Sequence, residues 1–151
     1  MYLLDTNHCS RLLEGNPEII DKLSSLDDAP VMTCTIVRGE LMFMAHKSER
    51  KDENLRKIEG FLRDIEILPV DEKAADFYGK MKAAIIDHYG PKERKERRKA
   101  TIDKFGFSEN DLWIAAVAIS KDLTVVSGDS DFCRLNVVEK IRVESWISSQ
   151  A

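Results

Sequence analysis

Tyr2-Leu3-Leu4-Asp5-Thr6-Asn7 opens the chain with a short apolar run that stops on an acid. The run reads as a first β-strand, and its register with the rest of the chain decides the fold. Val31-Met32-Thr33-Cys34 reads as a second strand, set off by the Ala29-Pro30 break. Ile65 to Leu68 before Pro69, Leu123 to Val126, and Ile141 to Val143 complete a set of five. Between them the apolar spacing predicts helices over about 17–26, 36–46, 52–64, 72–88 and 109–121. Strands alternating with helices of ten or more residues imply an α/β fold, with a parallel sheet covered on its faces by helices. In open sheets of that kind, sites gather outside the carboxyl ends of the strands.

The chain has 151 residues, 43% of them hydrophobic and 33% charged, which suits one globular domain over 1–151 with a core of useful size. The longest strictly apolar run, Leu112 to Ile119, is far shorter than the roughly 18 residues of a membrane span. The amino terminus lacks the basic and apolar regions of a secretory signal. Three cysteines, Cys9, Cys34 and Cys133, form neither a C-x-x-C pair nor a disulfide framework, so a cytoplasmic location and no membrane contact are expected. Acids outnumber bases 27 to 23, giving a net charge of −4, which disfavours wrapping nucleic acid through the overall field. It leaves open a protein that cuts nucleic acid, because clustered acids can be a metal site. One stretch runs against the general charge: Pro91 to Lys99 holds Lys92, Arg94, Lys95, Arg97, Arg98 and Lys99 against Glu93 and Glu96. It reads either as a solvated helix with i,i+4 charge pairs or as a phosphate-contacting face.

Carboxylates stand where apolar residues would be ordinary. On a helix over 36–46, Glu40 has Ile36, Val37, Phe43 and Met44 as its i±3 and i±4 neighbours, which places it on a face expected to pack inward. An unpaired buried carboxylate costs several kcal/mol, so it needs a base such as Arg38 or a metal. Asp5 ends the first strand, where it serves either as a site residue or as the cap of a helix beginning near Asn7. Asp111 lies in Ser108-Glu109-Asn110-Asp111, which fits a capping box, yet it opens a helix that is apolar all round. Asp129 and Asp131 follow the strand Leu123 to Val126 through Ser127-Gly128, where turn chemistry alone explains them. Convergence is the informative feature. At about 5 Å and an effective dielectric near 20, each like-charge pair costs on the order of 3 kcal/mol. A hard divalent cation removes that cost, and oxygen-only ligands favour Mg²⁺ or Mn²⁺ over zinc. On this reading Asp5→Asn relieves repulsion and raises the melting temperature of the metal-free protein.

His8, His46 and His88 have no partner at metal-ligand or triad spacing and read as surface residues or as supports of a site. Met32, Met42, Met44 and Met81 read as core, and Trp113 and Trp146 as core or interface. Acyl transfer and nucleotide binding lack their motifs: there is no G-x-S-x-G, P-loop or G-x-G-x-x-G. A phosphotransfer enzyme using Asp5 as nucleophile usually has a second Asp two residues on, where Asn7 stands. The same acids are compatible with a catalytically silent RNA- or partner-binding module and with a DNA-directed nuclease of related architecture.

With these residues in hand, the chain resembles the PIN-domain ribonucleases of the VapC toxin type. The resemblance is carried by Leu3-Leu4-Asp5-Thr6-Asn7, Gly39-Glu40-Leu41 with Ala45, Asn110-Asp111-Leu112-Trp113-Ile114-Ala115-Ala116, and Val126-Ser127-Gly128-Asp129-Ser130-Asp131-Phe132. It spans residue 2 to about 146. It implies a three-layer α/β/α fold with a mostly parallel sheet of about five strands, and a Mg²⁺-dependent endoribonuclease, Mn²⁺ being a second candidate ion. The substrate it implies is single-stranded or loop RNA such as tRNA, rRNA or mRNA, with 5′-phosphate and 3′-hydroxyl ends as products. It also implies a homodimer and a small cognate antitoxin lying across the active-site groove. Asp5, Glu40, Asp111 and Asp129 match the family's acidic quartet, with Asp5, Asp111 and Asp129 as metal ligands and Asp131, Ser127 and Asn7 as auxiliary residues. Ser127 replaces a common Thr and keeps the hydroxyl. The basic helical insertion around 91–104 is longer than the family leads one to expect, and Lys92, Arg94, Lys95, Arg97, Arg98 and Lys99 become candidates for RNA backbone contacts.

Overall fold

The computed structural model describes residues 1–149. Five parallel strands form one sheet: β1 (Tyr2–Leu4), β2 (Val31–Cys34), β3 (Glu66–Leu68), β4 (Thr124–Val126) and β5 (Val143–Glu144), in the order β3-β2-β1-β4-β5. β1 lies at the centre, paired with β2 through Tyr2↔Val31 and with β4 through Leu3↔Val125 and Leu4↔Val126. Leu3 and Leu4 are fully buried, as are Val125 and Val126, so the central strands are apolar on both faces.

Helices α1 (Thr6–Leu13), α2 (Pro17–Ser25), α3 (Thr35–Lys47) and α4 (Lys51–Asp64) lie on the path from β1 to β3. Helices α5 (Glu72–Tyr89), α6 (Arg94–Arg97) and α7 (Glu109–Ser120) lie between β3 and β4, and α8 (Ser130–Arg134) follows β4. The chain steps outward from β1 to β3, then returns beside β1 and steps the other way. Right-handed crossovers therefore put the two helix groups on opposite faces of the sheet. Consistent with this, α3 packs on α4 and α1, while α5 packs on α7 with the Tyr78 and Trp113 rings stacked 3.6 Å apart. The reversal of strand order falls between β1 and β4, and a crevice opens there at their carboxyl ends.

α7 carries out the burial its composition implies: Leu112 and the run Ile114 to Ala118 are all shielded from solvent. α1 lies outside the helices drawn from apolar spacing and is anticipated only by the alternative in which Asp5 caps a helix beginning near Asn7. Thr6, Asn7, His8 and Cys9 are modest helix formers, but the Asp5 cap and the burial of His8 and Cys9 hold it. α8 is likewise absent from them; Asp129 caps its five residues. β5 begins later than the apolar run suggests. Ile141 turns into the core, and the ladder with β4 starts where Arg142 and Glu144 carbonyls accept from Val125 and Ser127. The basic stretch forms only the single turn of α6, followed by a 3-10 turn over Ile102–Phe105. Among the described residues no helix is long and apolar enough to cross a membrane.

Candidate active site

Asp5 leaves the carboxyl end of β1, and Ser127 to Asp129 leave that of β4. α3 supplies Glu40 and the first turn of α7 supplies Asp111. Asp5, Thr6, Asn7, Glu40, Phe43, Met44, Asp111 and Asp129 line one cavity of about 340 Å³. Carboxylate oxygens of Asp111, Asp129 and Asp131 lie within 4.8 Å of one another. The structure thus brings together all four carboxylates singled out in the sequence. The tightest set, however, contains Asp131 and not Asp5.

Each carboxylate is held by a different device. Asp5 is buried, and its Oδ1 accepts from the His8 backbone N–H at 2.8 Å and lies 3.0 Å from His8 Nδ1. It therefore caps α1 and also lines the cavity, so the two readings of Asp5 are compatible. Glu40 accepts from the Thr6 hydroxyl on one oxygen and from the Asn110 amide, at 2.7 Å, on the other. Its surroundings correct the sequence-based picture of an inward-facing residue that needs a base such as Arg38 or a metal. The core stripe of α3 is Val37, Leu41 and Ala45, whereas Phe43 and Met44 are exposed and Glu40 sits on the rim between them. Met44 is accordingly not core.

Asp111 lies one turn into α7, where Ser108 accepts from its backbone N–H. The Asp111 carboxyl is pushed up to about 7 by burial first, and then by the charges of Asp129, Glu40, Asp5 and Asp131. Asp129 accepts from the Asp131 backbone N–H at 2.8 Å, and its own N–H donates to the Ser127 hydroxyl at 3.0 Å. Ser127 is buried beneath this turn and outside the lining of the carboxylate cavity. Asp131 pairs with Arg134 at 3.1 Å, and that guanidinium also donates to the Phe105 carbonyl and stacks over Phe107.

This donor set suits a hard divalent cation. It consists of carboxylate oxygens, one of them forced towards protonation by burial and by its neighbours' charge, and among the described residues Arg134 on Asp131 is the only base paired with the tight set. The basic stretch is placed elsewhere. Lys92, Arg94, Arg97 and Arg98 border a separate cavity of about 560 Å³ against α5, and Arg97 pairs with Asp87. That lining shares no residue with the carboxylate cavity.

Thr6 and Asn110, which hold Glu40, and Arg134, which holds Asp131, are not among the candidate site residues read from the sequence, although Thr6 and Asn110 stand inside the motifs that carry the resemblance. The Thr6 and Asn110 pairings with Glu40 span 34 and 70 residues, for which one sequence carries no signal, whereas Arg134 stands three residues from Asp131 and is fixed by the Phe105 carbonyl 29 residues away. His8 reads in the sequence only as a surface or supporting residue; its three-residue spacing from a capping Asp is the available clue. His46 and His88 are exposed.

Comparison with known proteins agrees with this architecture. A family profile described as PIN domain matches residues 2–138. A Salmonella typhimurium protein named tRNA(fMet)-specific endonuclease VapC is 30% identical over 96% of this chain and 97% of its own. Ribonuclease VapC2 of Haemophilus influenzae is 31% identical over 97% of this chain and 98% of its own. The crystal structure of DNA-bound VapBC from Salmonella typhimurium superposes with a TM-score of 0.76 at 28% identity, covering 97% of this chain and 98% of that one. The chain belongs to the PIN-domain family and is a VapC-type member of it.

Proposed function

We infer that this chain is a metal-dependent endoribonuclease that hydrolyses RNA phosphodiester bonds as the toxin of a toxin–antitoxin pair. The observation that carries the reading is the convergence of Asp5, Glu40, Asp111 and Asp129 on one cavity at the reversal of strand order, with Asp111 pushed up to about 7. The ribonuclease names of the relatives support the activity, and the VapBC complex supports a protein antitoxin. Mg²⁺ is the proposed ion and Mn²⁺ a substitute. RNA, whether tRNA, rRNA or mRNA, is the substrate, the protein acts as a homodimer, and its place is the cytoplasm. Residues 1–151 act as one PIN-like domain carrying the basic insertion around 91–104.

Asp5, Asp111 and Asp129 would hold the cation, with Asp131 beside them. When bound, such an ion neutralises charge on a phosphoryl group and lowers the pKa of a bound water. Asp111 would have to be ionised to serve as a ligand, so cation binding there would release its proton. Glu40, with both oxygens fixed by Thr6 and Asn110, orients the attacking water by accepting its hydrogen bond. Ser127 sets the Asp129 turn, and Asn7, on the cavity wall, faces the substrate. Lys92, Arg94, Lys95, Arg98 and Lys99 contact backbone phosphates without choosing sequence. Arg97, already paired with Asp87, contributes least.

The test offers a tRNA and rRNA pool, with DNA of matched sequence, to the purified protein in Mg²⁺ and in EDTA. Discrete RNA fragments that require metal and vanish with Asp5→Asn support the reading. Intact RNA across enzyme and Mn²⁺ concentrations would overturn it in favour of a binding module, and cleavage of DNA alone would make it a DNA nuclease.

A further inference from the structure

His8 is among the most enclosed side chains of the protein, at 1% exposure, and both of its ring nitrogens are engaged. Nε2 accepts from the Trp146 backbone N–H at 3.3 Å. An accepting Nε2 carries no proton, so the ring proton is on Nδ1, which faces Asp5 Oδ1 at 3.0 Å. The same Oδ1 accepts the His8 backbone N–H at 2.8 Å. Two donors from one residue thus converge on one oxygen, and among the described residues no hydrogen bond engages Oδ2. Trp146, the other end of the relay, is itself fixed. It is buried, its ring meets Tyr2 edge-on at 5.3 Å, and its indole N–H donates to Glu144.

We propose that His8 is a positioning residue for Asp5: its Nδ1–H holds Oδ1 so that Oδ2 is offered to the cavity, and its Nε2 rests on the Trp146 amide. The carboxyl-terminal turn thereby sets the aim of a ligand 141 positions earlier in the chain. An imidazole N–H on a ligating carboxylate fixes orientation and basicity, and loss of such a support weakens metal binding by about 10- to 100-fold. Leucine preserves bulk and offers neither nitrogen. Asparagine places an amide N–H near the position of Nδ1 and gives up only the Trp146 contact. The proposal rests on the metal-binding reading of the carboxylates, and its test separates the two.

Long-range ¹H–¹⁵N spectra of the metal-free protein report the His8 tautomer without reference to activity. Mn²⁺ titration followed by electron paramagnetic resonance reports affinity, and RNA cleavage is resolved into kcat and KM. Expected are a protonated Nδ1 with a bare Nε2, a loss of Mn²⁺ affinity of about 10-fold or more in His8→Leu with kcat falling and KM for RNA nearly unchanged, and recovery of most of that loss in His8→Asn. A protonated Nε2, or a folded His8→Leu that binds Mn²⁺ like the parent, overturns the proposal. Should His8→Leu fail to fold, the tautomer and the His8→Asn affinity decide: a bare Nε2 with near-parental affinity supports it, and an affinity as low as that of Asp5→Ala overturns it. A parent protein that binds no Mn²⁺ instead overturns the metal reading of the site, while the spectrum still decides the Asp5 contact.

Discussion

Replacing Asp111 by Asn should stabilise the metal-free protein, and by an amount that grows with pH. The carboxyl sits at about 7 in the fold against 3.8 in the open chain, because it is half-buried and faces Asp129, Glu40, Asp5 and Asp131. A carboxyl raised in this way binds its proton more tightly when folded, so the protein loses stability as pH rises from about 4 to about 7. The full gap corresponds to about 4 kcal/mol, and solvent screening at a partly exposed site reduces it to about 2 kcal/mol. Asn cannot ionise and escapes the loss. At pH 8 in EDTA the Asp111→Asn protein should therefore melt about 4–8 °C above the parent, with less than half that advantage at pH 4. Saturating Mg²⁺ at pH 8 should raise the parent and close the gap, since the variant has lost a ligand. Thermal melts by circular dichroism at the two pH values, with and without Mg²⁺, measure all of this. An advantage of equal size at both pH values, or a variant less stable than the parent at pH 8, would refute the claim that the carboxylates repel one another across this cavity.

Asp5→Asn should abolish RNA cleavage yet move the metal-free melting point less than Asp111→Asn does. Asn caps a helix as well as Asp, and Oδ1 is already satisfied by His8; a larger gain in Asp5→Asn would move the centre of repulsion to that residue. Changing Lys92, Arg94 and Arg98 together to Ala should weaken RNA binding and flatten its log–log salt dependence by about 2, the value for three phosphates on a single strand, with kcat nearly unchanged; an unaltered slope in filter-binding titrations removes the stretch from the RNA path. Gly90→Ala should destabilise by about 1–3 kcal/mol in urea unfolding. The added Cβ would fall well inside contact distance of the Ile86 carbonyl oxygen that closes α5, so a neutral result would mean the end of α5 yields readily.

The strands were legible because the central ones are buried on both faces and read as uninterrupted apolar runs, as Leu3-Leu4 and Val125-Val126 show. α7 was legible for the same reason. The elements that escaped are those whose stability comes from capping and tertiary contact. α1 contains Thr, Asn, His, Cys and Ser in succession and is held by Asp5 beneath it and by the packing of Cys9. α8 is a single turn hung on Asp129. Periodicity also misjudged α3, since the apolar neighbours of Glu40 divide between Val37, which is buried, and Phe43 and Met44, which are exposed on the cavity rim. One sequence cannot distinguish an apolar residue that packs from one that lines a site.

That ambiguity explains how acids that converge on one cavity could be singled out for reasons that the geometry changes. Glu40 stood out as a buried charge, yet it is a rim residue whose two oxygens are neutralised by hydrogen bonds from Thr6 and Asn110. Asp5 reads in the sequence as a residue under electrostatic stress; in the structure its Oδ1 accepts the His8 backbone N–H and lies beside His8 Nδ1, while Asp111 is pushed up by burial and by its neighbours' charge. The residue types were readable because a cluster of acids at strand ends has few other uses. The distribution of strain among them was not, because it depends on which acids have found donors, and the donors come from α1, α7 and α8. On the proposed reading, a carboxylate already held by fixed N–H groups would be a pre-aimed ligand, and one held near neutrality by burial and its neighbours would ionise on binding a cation. The division between Asp5 and Asp111 assigns those two parts to different residues, so their Asn variants should separate in stability while agreeing in lost activity.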